Sequence, residues 1–253
     1  MRLGEKIKTF LQGFFLFNII WYIMAKPINM KALPKPTDVY LNMGHLYGEN
    51  LFIHVLVSLY RIFSGLGIAL VIGTSIGLFM AYSKLGNKLL NPLVYFTYPI
   101  PKTALLPVVM LLFGLGNSSK IILIVFILVF QVIVAVKNAT LNISPEDYHP
   151  LTSLGASKLQ VFIHITVPAI LPELLTNLRL SIGTALSILF FAEGYGTQYG
   201  IGYYILDAWM RIDYMGMYAG IIVISLLGFA LFILIDLIEE TLCQWKGKLS
   251  NAR

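Results

Sequence analysis

Six apolar runs, each close to the length of a membrane span, leave this chain little choice of fold. A helix needs about 20 mostly apolar residues to cross a hydrocarbon layer about 30 Å thick. The runs are Phe10–Ala25, Val57–Tyr82, Leu93–Phe113, Ile121–Val136, Leu175–Ala192 and Tyr218–Ile238. Within a bilayer the backbone must satisfy its own polar groups, so such runs become helices. Composition agrees: 58% of the 253 residues are apolar and 12% charged, the latter about half the share in soluble chains. The expected fold class is an all-α, multi-pass membrane protein. No internal repeat or low-complexity tract divides it, so residues 1–253 are read as one membrane domain. Pro99, Pro101 and Pro107 interrupt the third run, and the fourth is short. Lys6 and Lys8 before the first run would suit a signal peptide. Met24-Ala25-Lys26-Pro27 offers no small-x-small cleavage site, however, and the run is read as a span.

The basic residues set an orientation. With the N-terminus in the cytoplasm, the inner segments hold Arg2, Lys6, Lys8, Lys84, Lys88, Lys137, Lys158, Arg179, Lys246, Lys248 and Arg253. The outer ones hold Lys26, Lys31, Lys35, Lys120 and Arg211. This excess on one side predicts both termini inside. It also accounts for the net charge of +6 without a nucleic-acid partner. Two loops are longer than a tight turn: 26–56 outside, with room for a short surface helix, and 137–174 inside.

Several chemistries are not specified. Cys243 is the only cysteine, which excludes an internal disulfide or a cysteine-built metal site. His45, His54, His149 and His164 lack metal-ligand spacing and read as loop or interfacial residues. Gly114-Leu-Gly-Asn-Ser-Ser-Lys120 lacks the closing Gly-Lys-Ser/Thr of a triphosphate-cradling loop. No serine sits in a nucleophile elbow. No catalytic residue, metal or cofactor is therefore expected in this chain, and any energy for work comes from elsewhere.

The inner loop has the most local structure. Ser144-Pro145 followed by Glu146 and Asp147 is a helix start: a cap, a first-turn proline and two acids at the positive dipole end. Gly155 suits the left-handed residue that ends a helix. Ala156-Ser157 then opens a second helix, in which Leu159, Phe162, Ile163 and Thr166 share a face. Pro168 and Pro172 are expected to close the unit before the fifth span. By physics alone, an interfacial hairpin and a docking knob for a soluble partner remain equally open.

Gly155-Ala156, then Ile165-x-Val167-Pro168 and Pro172, resembles the cytoplasmic coupling motif of bacterial importer permeases of the ATP-binding cassette class. The family's Glu-Ala-Ala is replaced here by His149, Pro150 and Leu151, while the glycine and its downstream spacing remain. Glu146 or Asp147, one turn earlier, can stand in for the missing glutamate. Three further stretches extend the resemblance over about residues 58–240: Ser58-Leu-Tyr-Arg61; Tyr98 through Pro107, leading to Phe113-Gly-Leu-Gly116; and Ala192-Glu193, followed by Gly200-Ile-Gly202-Tyr203. The pattern is most similar to the branch that imports nitrate, alkanesulfonates, taurine and thiamine-precursor pyrimidines.

The resemblance implies a six-span type I importer permease of the cell's inner (plasma) membrane that forms the path for a small organic anion, oxyanion or vitamin precursor. The implied partners are a second copy of the chain, an extracytoplasmic solute-binding protein and two cytoplasmic subunits that bind ATP and Mg. It assigns ATPase coupling to Glu146, Asp147, His149, Leu154, Gly155, Ala156, Phe162 and Pro168. The candidates for the path or gate are Arg61, Tyr98, Pro99, Pro101, Lys102, Glu193, Tyr199 and Tyr203. A cation or a broken helix at membrane depth points to a cavity, although Lys102 can also snorkel to the interface and prolines can simply kink a helix. Arg61 either pairs with Glu193 or reaches headgroups. Gly73-x-x-x-Gly77 reads as helix packing, Asp236, Glu239 and Glu240 as solvated, and 193–217 as an aromatic outer loop. The rivals are a secondary transporter or channel working without an ATPase, which predicts coupling-ion acids in several spans, and a membrane-embedded enzyme, for which no catalytic cluster is present.

Overall fold

A computed structural model of the chain describes residues 3–28, 30–44, 51–97 and 99–245, and these residues form helices joined by short connections. In order they are α1 (Leu3–Ile28), α2 (Pro36–Asn42), α3 (Leu51–Tyr82), α4 (Lys84–Thr97), a 3-10 turn (Lys102–Leu105), α5 (Leu106–Phe113), α6 (Asn117–Leu141), α7 (Pro145–Ser153), α8 (Lys158–Val161), a π turn (Phe162–Thr166), α9 (Val167–Glu193), α10 (Ile201–Met210) and α11 (Tyr214–Leu242). Five helical stretches are long and apolar enough to cross a membrane: 7–28, 51–82, 117–141, 158–193 and 214–242. The pair 84–97 and 102–113 adds a sixth if counted as one bent span.

Contacts group the chain into two units, 1–60 with 189–231 and 61–188 with 232–253, with boundaries inside α3, α9 and α11. In the first unit, Trp21 and Ala25 of α1 bury against Val39 of α2 and Ala219 and Ile222 of α11. The short helix expected in the 26–56 loop is α2, opened by Pro36.

In the second unit α3 lies close against α6. A Cβ added at Gly73 would stand 2.7 Å from Val132 Cβ, and one at Gly77 2.9 Å from the Ile133 carbonyl oxygen. Lipid tails are as apolar as the side chains they would replace, so close backbone approach through small residues is what holds such helices together. Gly65, which faces Ile124 in the same way, extends this seam along α3.

Three expectations need correction. The third run is not a span of 93–113: α4 starts at Lys84, immediately after α3, and Pro107 stands in the first turn of α5 rather than kinking a helix. Pro168 and Pro172 do not end the coupling segment, since helix continues from Lys158 through α9. The π turn makes this possible: the Val167 N–H reaches back five residues to Phe162 O, so the first proline meets a ladder already widened. Lastly, 193–217 is not simply a loop, because α10 occupies 201–210.

Candidate functional site

The 137–174 loop folds as a doubly capped elbow. Ser144 Oγ accepts from the Glu146 N–H, opening α7. At its end, Gly155 takes φ +75°; its N–H donates to Thr152 O and that of Ala156 to Leu151 O. This pairing consumes carbonyls a helix end would otherwise leave open, and it needs the left-handed residue that glycine supplies. Two residues on, Ser157 and Gln160 form a reciprocal capping box, with the Ser157 N–H donating to Gln160 Oε1 at 2.7 Å. The two short helices are thus set at a fixed turn. Glu146, Asp147 and His149 are exposed along α7, and Leu154 at the elbow is 86% exposed. The expected single apolar face is divided. Leu159 and Ile163 are exposed and Phe162 is half-buried, whereas Thr166 is fully buried with its hydroxyl 2.6 Å from that of Tyr82.

In the first unit, Glu193 is fully buried at the end of α9. Its carboxylate accepts from Ser58 Oγ at 2.8 and 3.0 Å and from the Gly202 N–H at 2.8 Å. It therefore caps the positive end of α10 from another helix, a favourable place for a buried negative charge. Ser58 Oγ also accepts from the Ile201 N–H at 2.8 Å, and the Gly200 N–H lies 3.1 Å from Nδ1 of buried His54. Gly200 has φ +128°, and a Cβ there would overlap the Glu193 carboxylate, so only glycine fits. The His54 ring stacks on Tyr203, 5.9 Å between centroids and 10° between planes, and lies 5.8 Å from Tyr199. Glu193, Tyr199 and Tyr203, three of the path or gate candidates read from sequence, thus meet around Ser58 and His54; His54, read as a loop or interfacial residue, and the polar role of Ser58 were not anticipated.

The second unit holds two cations buried almost completely. Arg61, 2% exposed, donates through Nε and Nη2 to Asn117 Oδ1 at 2.9 and 2.8 Å, so it does not reach out to headgroups. Lys120, assigned to an outer loop, lies in the first turn of α6 and donates to Leu115 O. Lys102, half-buried, has its Nζ 5.3 Å from the Phe130 ring centroid, a cation–π contact. Pro99 lines a cavity of about 500 Å³ with Asn91, Tyr95, Lys137 and Asn138, where Lys137 donates to Asn91 Oδ1 at 2.8 Å. Pro101 is exposed just before the 3-10 turn, and Tyr98 lies outside the described residues. Asp236 and Glu239 are not simply solvated: both pair with Arg179, Glu239 at 2.9 Å.

The molecule is thus an apolar helical chain with a capped elbow and buried polar clusters. Residues 73–242 match the family model described as "Binding-protein-dependent transport system inner membrane component", and the chain belongs to that family. It is similar to the formylaminopyrimidine transport permease protein ThiX of Halalkalibacterium halodurans, 29% identical over 93% of this chain and 94% of the relative. It is also 29% identical to the taurine transport system permease protein TauC of Escherichia coli, over 90% of this chain and 86% of that one. Its fold matches the inward-facing methionine ABC transporter MetNI with a TM-score of 0.65 and 20% identity, over 76% of this chain and 95% of that one. The protein is a multi-pass permease subunit of an ATP-binding cassette importer.

Proposed function

We propose that the 145–166 elbow is the handle by which separate ATP-binding subunits drive this permease, and that the chain itself hydrolyses no ATP. Two ATPases, holding ATP and Mg, would serve two copies of the chain, with a solute-binding protein delivering cargo on the opposite face and both termini of each copy cytoplasmic. The observation that carries this reading is the elbow itself. Leu154, Leu159 and Ile163 are exposed around a turn held by the left-handed Gly155 and the Ser157–Gln160 capping box, an apolar surface suited to a protein partner. Closure of the ATPases would select one of two permease states through its differential affinity for them. Glu146 and Asp147, exposed in the first turn of α7, supply the acidic contact that the missing motif glutamate gives elsewhere.

The cargo we infer is a small organic anion, an oxyanion or a vitamin precursor. Two relatives are named for formylaminopyrimidine and taurine, both small polar solutes. Lys137 and the amides of Asn91 and Asn138, in the cavity that Pro99 lines, suit an anionic or polar guest. Replacing Gly155 by Pro tests the handle: insertion and yield should hold, while cargo-stimulated ATP hydrolysis falls at least tenfold. Stimulated hydrolysis at the wild-type level would contradict it.

A further inference from the structure

A groove in the first unit is lined by none of the residues assigned above to the elbow or to the Glu193 cluster. It runs along α1 and α11, is lined by Phe10, Phe14, Phe17, Trp21, Tyr218 and Ile222, and encloses about 460 Å³. Both helices are long and apolar enough to cross a membrane, which puts the groove at the depth of acyl chains. The Tyr40 hydroxyl closes one wall by donating to Asn18 Oδ1 at 2.8 Å. Leu33 lines this groove and also a second cavity of about 390 Å³, so the two adjoin.

The second cavity is polar. Lys31, Lys35, Asp38 and Asp213 all line it, two cations against two carboxylates. Trp21 lines the apolar groove, and Ala25, one turn further along α1, lines the polar cavity. Trp21 is 8% exposed, and its indole N–H is buried with no hydrogen-bond partner among the described residues. A buried donor without an acceptor costs roughly 1–3 kcal/mol, so a bound group that accepts from it is favoured.

We propose that this is a built site for one zwitterionic phospholipid of the phosphatidylethanolamine type. An acyl chain fills the aromatic groove, an ester carbonyl accepts from the Trp21 N–H, and the headgroup enters the polar cavity. There the phosphate meets Lys31 and Lys35, and the ammonium donates to Asp38 and Asp213. The balanced charges select against an anionic headgroup, which would leave both carboxylates facing a negative ligand. A choline headgroup has no N–H to give them. Indole N–H groups at the boundary between wet and apolar layers suit such a contact.

Native mass spectrometry of the full-length protein, given an equimolar mixture of phosphatidylethanolamine, phosphatidylcholine and phosphatidylglycerol, reads this directly. One phosphatidylethanolamine per chain should survive activation that strips the other lipids. Lys31→Gln combined with Lys35→Gln should lower its retention at least tenfold. Trp21→Phe, which keeps an aromatic ring, should lower it about fivefold, the worth of one hydrogen bond, and Lys84→Gln should change nothing. Asp38→Asn should shift preference toward phosphatidylglycerol. Equal or better retention of phosphatidylglycerol by the wild-type protein overturns the proposal. So does loss of every lipid at the same activation, or retention indifferent to Trp21 and the two lysines.

Discussion

Glu193 shows how much of the fold one side chain can organise. A carboxylate buried without partners would cost several kcal/mol. Here Ser58 Oγ and the Gly202 N–H both donate to it, and it faces the positive end of α10. Glu193→Gln keeps the shape but removes the charge, and each charge-assisted hydrogen bond is worth roughly 1.5–3 kcal/mol. Thermal unfolding of the detergent-purified protein should shift down by several degrees, while Glu240→Gln should leave it unchanged. An unshifted transition for Glu193→Gln would mean the cap contributes nothing. Gly200→Ala should be at least as damaging, because the residue occupies a region of backbone space open almost only to glycine and its Cβ would overlap the same carboxylate. Near-normal yield of folded Gly200→Ala would contradict the geometry.

Among the helices, two predictions follow from small residues and caps. Gly73→Leu would put a branched side chain where Val132 already stands 2.7 Å from a Cβ position, forcing α3 and α6 apart. Monodisperse protein recovered by size exclusion should fall sharply, while Gly67→Leu, with open space around it, should behave as wild type. Ser157→Ala removes one half of the capping box and costs about 1 kcal/mol locally. Amide exchange over 158–161 should accelerate about fivefold with α9 unaffected; unchanged exchange would show that the box is not what holds the elbow. These elements were readable to different degrees. Ser144, Gly155 and Ser157 carry their geometry in local chemistry, so the elbow could be read from the chain alone. The passage through Pro168 could not, because the π turn that admits the proline has no local signature, and Thr166 within it bonds to Tyr82, a partner far away in sequence. Helix α10 was hidden for a similar reason: its N-terminal cap comes from Glu193, outside the helix, and the aromatic composition of 193–217 resembles an interfacial belt.

For the whole chain, hydrophobic run length alone made the membrane class and five of the spans legible, because bilayer thickness is a ruler that any sequence must meet. The same ruler says nothing about polar groups inside. Lys120 was counted with an outer segment and His54 read as a loop or interfacial residue, yet both are buried. Asp236 and Glu239 were taken as solvated, yet both pair with Arg179 across a sequence gap that no local pattern bridges. Such pairing is a property of tertiary contact. It explains why the elbow was clear from sequence and the buried polar residues were not.

The account as a whole is tested most directly by rebuilding the importer in sealed vesicles from the purified permease, its ATP-binding subunits and its solute-binding protein, with labelled cargo outside. Uptake should require ATP and all three components, and it should stop when Gly155 is replaced by Pro even though the ATP-binding subunits stay intact. Uptake by the permease alone, driven by a proton or sodium gradient without nucleotide, would contradict it.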